Sequence, residues 1–462
     1  LHGGGDKDTS PAPWHGNLIL SSLSPKAMVP TLRFYVCLLM IGGGAMVMAQ
    51  MSTIPNAVGT LVIADGLLLL LTVIDYGRGR KRKITVQRQP LGPLSIGREN
   101  PVTITVANSG PSAIAKIKDD YPAAFLVTDE IKTAQVLPQG STQLSYHVQP
   151  RQRGEYRWGK VNVRQLCPWQ LTWHQWTVGE GETVTVHPDL MGLKSLTIRL
   201  AQATTGNLRQ MRKLGLGTEF RELRDYQAGD DLRYLDWKAS ARRGIPLMRV
   251  LEPEREQTVI ILLDRGRLMT AWVQGLQRFD WALNTSLALA VTALHRGDRL
   301  GIGVFDRTVV SWLPPERGLH YLPKLLKTLT PLQPVLQEPD YGAAIGQLVQ
   351  QQTRRALVVC ITDLIDPTAS RELLTALTQL APRYLPFCVT LRDPQVDQLA
   401  HSPATTVSGA YQQAVAINLL QQRQLALAKL KQKGVLVLDA PADKVSEQLV
   451  DRYLQLKART LL

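Results

Sequence analysis

The sequence has few cysteines. Four in 462 residues (Cys37, Cys167, Cys360 and Cys388) lie far apart, which excludes a disulfide scaffold. No CxxC pair exists, so a zinc ribbon and a thioredoxin-type motif are excluded as well. The eight histidines never fall within four residues of each other, so there is no HExxH pair for a catalytic metal. Neither a GxxxxGK[ST] phosphate loop nor a GxSxG nucleophile elbow occurs. Charge is also sparse. At 20% charged and 44% hydrophobic residues, the chain buries real cores and is not a disordered tail. Its length fits two or three domains. The net charge of +15 raises nucleic acid as a partner, but no aromatic-interleaved basic stripe or nucleic-acid motif accompanies it.

Long apolar runs are present near the start. Residues 1–30 are rich in Gly, Ser and Pro and read as a disordered tail, with Met28 a candidate initiator. Within 31–77, two spans of about 32–51 and 57–76 are expected to form transmembrane helices, since about 20 apolar residues cross a bilayer. Residues 52–56 contain Pro55 and read as the turn between them. A cleaved signal peptide ending at Val47-Met48-Ala49 competes for the first run. The second run and its basic stop favour the hairpin. Arg33 precedes the first span and a basic cluster over 78–83 follows the second, with no charge between them. The positive-inside rule then makes this a multi-pass protein of the cell inner membrane, with both termini and the soluble domains cytoplasmic. The basic cluster faces anionic lipid, so the bilayer is the first expected partner. Asp65 sits near mid-span, where such a residue suggests function by default; the structural reading, which is favoured, is a polar partner on another helix or a shift of the span.

Over 84–190 the pattern alternates apolar with polar, as in Val102-Thr103-Ile104-Thr105-Val106 and Leu144-Ser145-Tyr146-His147-Val148, with turn signals such as Asn108-Ser109-Gly110-Pro111. Many short strands with frequent turns predict an all-β, sandwich-like domain. Trp158, Trp169, Trp173 and Trp176 are expected in its core or at its edges. Its role reads as a spacer or docking module.

Residues 191–257 read as a linker carrying a dense mixed-charge run over 214–250. Asp230 or Asp231 is expected to cap a short helix that ends at Arg242 and Arg243, with Gly244 and Pro246 beyond. This run resembles the signature of a bacterial family known as domain of unknown function 58, roughly GxGxEFxxLRxYxxGDDxRxIDWxASAR. Gly215, Gly217, Glu219, Phe220, Leu223, Arg224, Tyr226, Gly229, Asp230, Asp231, Arg233, Asp236, Trp237, Ala239, Ser240, Ala241 and Arg242 match it, with Leu235 in place of the isoleucine. The resemblance covers most of 32–462 and implies a membrane hairpin, a sandwich, the signature and a von Willebrand factor A-like domain. One departure is Cys167-Pro168-Trp169-Gln170-Leu171, where the family often shows DPFGL. The signature reads either as an internal charge network or as a partner-docking surface.

Over 258–462, apolar strands alternate with helices, predicting a doubly wound, mostly parallel α/β sheet. Two fully apolar strands end at Asp264 and Asp363, where such sheets bind ligands. Von Willebrand A-like domains hold a divalent metal there, through DxSxS, a threonine and an aspartate. Here Gly266, Leu268 and Pro339 stand at three of those five positions, so only Asp264 and Asp363 keep oxygen donors. No metal or cofactor is expected. Pairing of Arg265 or Arg267 with Asp363 is expected instead.

The chain is therefore expected to be a scaffold or adaptor and not an enzyme, with no small-molecule substrate evident and no nucleic-acid partner. The resemblance implies a MoxR-type AAA+ ATPase as partner. The alternative is metal-dependent ligand binding through Asp264 and Asp363.

Overall fold

Two long apolar helices stand near the start of the described residues, α1 (Leu32–Met51) and α2 (Ile54–Arg80). The computed structural model describes residues 26–51, 54–81, 84–128, 131–190, 192–197, 219–252, 257–364, 370–404 and 406–458. It divides into two units, residues 1–187 and 188–462. Within the helices, the stretches Leu32–Gln50 and Val58–Arg80 are long and apolar enough to cross a membrane. Protein covers none of the first stretch and 17% of the second, unlike the core helix of a soluble protein. Pro55 lies in the first turn of α2 rather than in a connecting turn. Proline is tolerated there because that N–H has no helical partner. Arg78 and Arg80 occupy the last turn of α2, where the helix dipole favours cations. Asp65 Oδ1 is enclosed and accepts no hydrogen bond from any described residue, so the expected polar partner is not found among them.

The expectation of a disordered tail over 1–30 is corrected at its end. Lys26–Pro30 form strand β1, which pairs antiparallel with β11 (Thr172–Val178). The rest of this unit is β-rich. Its strands are β2 (Ile84–Arg88), β3 (Leu94–Ser95), β4 (Asn100–Asn108), β5 (Ala113–Asp119), β6 (Phe125–Val127), β7 (Lys132–Val136), β8 (Ser141–Pro150), β9 (Gly154–Trp158), β10 (Val161–Leu166) and β12 (Glu182–His187). They form sheets ordered β1-β11-β10-β5-β7, β2-β4-β8-β6 and β3-β12-β9. Val102, Ile104 and Val106 alternate into the core, as do Ala113, Ala115 and Ile117, the period-two pattern of strands with one buried face. Buried Asp119 joins two of the sheets by accepting from Arg88 (2.8 Å) and Tyr146 (2.6 Å). Burial nevertheless raises its carboxyl above the usual range. Trp158 is fully buried, whereas Trp169 is exposed.

One turn holds both ends of the helical hairpin. Thr31, just before α1, donates its hydroxyl to the carbonyls of Gln170 (2.6 Å) and Leu171 (3.0 Å). Asp75, fully buried near the end of α2, accepts from the backbone N–H groups of Trp169 (2.8 Å) and Leu171 (3.1 Å). Arg78 lies over the Trp169 ring, and Gly79 packs so closely on Cys167 that a Cβ there would collide with the sulfur. The turn that departs from the family pattern is thus the seat of the hairpin.

The second unit begins earlier than the sequence suggests. Residues 192–197 are helical, and Leu193 enters the α/β core with Leu190 and Leu196 against it. Part of the expected linker is therefore core. The main sheet comprises β15 (Thr258–Asp264), β18 (Arg299–Phe305), β19 (Val309–Glu316), β20 (Leu357–Thr362), β21 (Leu385–Arg392) and β22 (Leu436–Pro441). Its order is β19-β18-β15-β20-β21-β22, parallel throughout except at β19. A ribbon of β13 (Glu219–Asp225) and β14 (Leu247–Glu252) precedes it, and a small hairpin of β16 (Trp272–Val273) and β17 (Leu276–Gln277) is inserted.

The helices are α3 (Trp237–Arg243), α4 (Arg278–His295), α5 (Leu322–Leu329), α6 (Tyr341–Gln351), α7 (Arg371–Leu380), α8 (Pro394–His401), α9 (Val407–Gln432) and α10 (Val445–Ala458). Val259, Ile261 and Leu263 of β15 enter one apolar cluster with α4 and α10. Ile260 and Leu262 enter a second with α6, α7 and α9. Both sheet faces are covered, which is why these strands read as continuous apolar runs.

Candidate functional site

Two places hold the residues singled out by sequence: the carboxyl ends of the central strands and the signature module over 219–250. At the strand ends, buried Asp264 accepts from Thr362 Oγ1 (2.6 Å), the Tyr341 hydroxyl (3.1 Å) and the Gly266 N–H (2.7 Å). Burial pushes its carboxyl up to about 6, against the lowering effect of those three donors. The same burial, with Asp264 alongside, drives the Tyr341 hydroxyl well above its ordinary value.

Gly266 is confined. A Cβ there would sit 2.8 Å from Pro339 Cδ, 2.9 Å from the Gln337 carbonyl and 3.0 Å from Asp264 Oδ1. Two of the former ligand positions thus close on each other, and a serine at 266 would not fit. Leu268 lies half-buried in the short 3-10 turn Arg267–Thr270. Asp340, beside Pro339, caps α6 through the Ala343 N–H (2.8 Å).

Asp363 is neutralised by partners the sequence reading did not name. It pairs with Arg278 of α4 (2.5 Å) and Arg423 of α9 (2.7 Å). Arg423 also holds Asp439 (2.8 Å) and the Leu364 carbonyl (2.5 Å). Arg265 turns instead to Asp306 (2.8 Å), and Arg267 to Glu338 (2.6 Å). The expected pairing of Arg265 or Arg267 with Asp363 is therefore corrected. The Arg265 N–H bonds the Phe305 carbonyl, which directs that residue toward the end of β18, while α4 and α9 deliver Arg278 and Arg423. One signal for Arg423 lay in the sequence: it is the lone charge between Val407 and Ala428, so a charge on that helix's buried side needed a partner.

The residues present do not fit a divalent ion. Asp363 carries two guanidinium partners, Gly266 and Pro339 offer no side-chain oxygen, and the space between them is filled. Among the described residues no three His, Cys, Asp or Glu side chains converge.

In the signature module, the ribbon β13–β14 carries a 3-10 turn (Leu232–Tyr234) and α3 between its strands. Asp230 pairs with Arg224 (2.6 Å) and accepts from the Gln227 N–H (2.9 Å). Asp231 caps the 3-10 turn and pairs with Arg233 (2.6 Å). The cap of the helix ending at Arg242 and Arg243 is Asp236, not Asp230 or Asp231. It accepts from the Ala239 N–H (3.0 Å) and pairs with Arg249 (2.8 Å). The Arg224 hydrogen bond holds the Asp230 carboxyl below the usual range, the Arg233 bond does so for Asp231, and the Ala239 N–H for Asp236. Ser240 bonds the Asp236 carbonyl (2.7 Å) and receives the Leu247 N–H (2.8 Å). Gly244 is left-handed (φ 73°) and closes α3.

The apolar signature residues behave differently. Trp237 is 73% exposed and Leu232 63%, with Ile245, Leu223 and Tyr226 also exposed. Arg242 is exposed at the end of α3. Glu219 and Phe220 pair through their backbones in β13, while their side chains, with Gly215, Gly217 and the basic run at 199–213, lie outside the described residues.

These features coincide with the comparisons. The family model "Protein of unknown function DUF58" matches residues 222–431, a stretch that takes in most of the signature and much of the α/β unit. Similar curated proteins are uncharacterized. Rv1480 of Mycobacterium tuberculosis is 26% identical over 183 residues, covering 39% of this chain and 57% of that protein. YeaD of Bacillus subtilis is 24% identical over 140 residues, 30% of this chain and 33% of that protein. The chain thus spans little more than half the length of the curated relatives it matches. Among solved structures, BatB from Bacteroides thetaiotaomicron is similar at 17% identity and a TM-score of 0.32, covering 44% of this chain and 99% of that one. A von Willebrand factor type A structure from Catenulispora acidiphila shows 10% identity and a TM-score of 0.28, covering 46% of this chain and 44% of that one.

Proposed function

We propose that this chain is a scaffold or adaptor that spans the inner membrane twice, with both termini and its larger units on the cytoplasmic side, and acts by protein–protein contact rather than by catalysis. The observation that carries this reading is the split within the signature module. Asp230, Asp231 and Asp236 pair with Arg224, Arg233 and Arg249, which builds the module. Several of its large apolar side chains, Trp237 and Leu232 foremost, face solvent. Exposed aromatic anchors in a rigid frame suit a partner surface. A MoxR-type AAA+ ATPase is the partner that the family resemblance implies. The orientation rests on Arg33 in the first turn of the first helix and on Arg78 and Arg80 at the end of the second.

The test is recovery of a MoxR-type ATPase on the detergent-solubilised full chain. A Trp237→Ala/Leu232→Ser change is expected to cut recovery at least tenfold with unchanged folding. Equal recovery from both chains defeats the docking reading. For the metal-dependent alternative, the two arginines on Asp363 weigh against it, and calorimetric magnesium titration of wild type against Asp264→Ala tests it directly.

A further inference from the structure

The opposite end of the sheet carries an open site. A cleft of about 690 Å³ opens at the amino ends of β15, β18, β20 and β21. Arg299, Arg354 and Arg355 line it, together with the amides of Gln257, Gln351 and Gln352, and its described lining contains no carboxylate and no aromatic ring. The segment carrying two of the arginines is held in place through its backbone. Arg383 donates to the Thr353 carbonyl (2.7 Å), Gln352 Nε2 to the Arg354 carbonyl (3.2 Å), and the Tyr384 hydroxyl to the Gln352 carbonyl. The guanidinium groups of Arg354 and Arg355 enter no ion pair or hydrogen bond among the described residues. The nearby carboxylate of Asp298 is already taken by Lys457 (2.5 Å), the Gln257 N–H (3.1 Å) and the Tyr453 hydroxyl.

We propose that this cleft binds a small, multiply charged phosphate anion. Guanidinium forks match the paired oxygens of phosphate, and amide side chains add neutral donors. The volume falls in the range of small-molecule sites, roughly 300–1,000 Å³. With no ring to stack on, recognition runs through phosphate oxygens rather than through a base. The contrast within the sheet supports this: at the carboxyl ends Asp363 is matched by Arg278 and Arg423, whereas here Arg354 and Arg355 meet no carboxylate among the described residues.

The probe is tripolyphosphate, titrated calorimetrically into the detergent-solubilised full chain at low salt. Saturable one-to-one binding is expected, weakened at least tenfold in Arg354→Ala/Arg355→Ala and weakened by added salt. Both arginines are exposed, so the variant's thermal midpoint is expected to match wild type. Arg354→Lys/Arg355→Lys, which keeps the charge but loses the fork, is expected to fall between the two. No saturable binding by wild type, wild-type affinity in the alanine variant, or tighter binding of a polyglutamate peptide than of tripolyphosphate would each overturn the assignment.

Discussion

The strand-end cluster and the signature module use the same residue types to opposite ends. In the first, Asp264, Asp363, Arg423 and Tyr341 are buried, so their interactions face inward and Gly266 closes against Pro339. In the second, Asp230, Asp231 and Asp236 pair near the surface, and the aromatic residue beside them, Trp237, points outward. Ion pairs in the interior fix a structure because either partner alone is costly there. Ion pairs near water contribute little energy, so the module's charges shape a loop whose apolar side chains stay free for contact.

Four measurements break or sharpen that contrast. Arg423→Met removes a cation from both Asp363 and Asp439 and is expected to cost about 3–5 kcal/mol of stability; a thermal midpoint near wild type would show that Arg278 alone suffices. Asp264 comes next. Its carboxyl, raised from 3.8 to about 6, holds a proton more tightly folded than unfolded. Its contribution to stability is therefore fullest below about pH 4 and declines as pH rises through about 6, by roughly 3 kcal/mol in all. Asp264→Asn is expected to abolish that decline in unfolding curves taken across this window, and an unchanged slope contradicts the buried carboxyl as its source. In the module, Asp236→Ala removes a helix cap and the Arg249 contact and is expected to cost about 1 kcal/mol, seen as faster amide exchange over α3. Trp237→Ala is expected to shift stability by less than about 0.5 kcal/mol while losing partner recovery. A large loss of stability there would mean that the ring packs rather than docks.

Legibility followed the range of the interactions. The helical hairpin showed as apolar runs, and β15 and β20 showed as apolar strands ending in Asp264 and Asp363, because strands buried on both faces leave no polar alternation. Strand β13, by contrast, is a seven-residue stretch with five charges, EFRELRD. Ribbons with solvent on both sides carry no period-two apolar signal, so it was hidden in the expected linker. Lys26–Pro30 was hidden for a different reason: its partner β11 lies more than a hundred residues away. Among the site residues, Arg278 and Arg423 could not be assigned to Asp363 by spacing, since Arg423 stands 60 residues from it.

The sequence by itself determined that apolar helices and strands are present, and which five positions stand where the resemblance puts metal ligands, because these depend on local pattern and residue type. Only the tertiary structure decided which guanidinium meets which carboxylate, that one turn seats both ends of the helical hairpin, and that Trp237 faces outward. Those outcomes depend on distant segments converging, and burial and pairing are properties of that convergence rather than of any local stretch of chain.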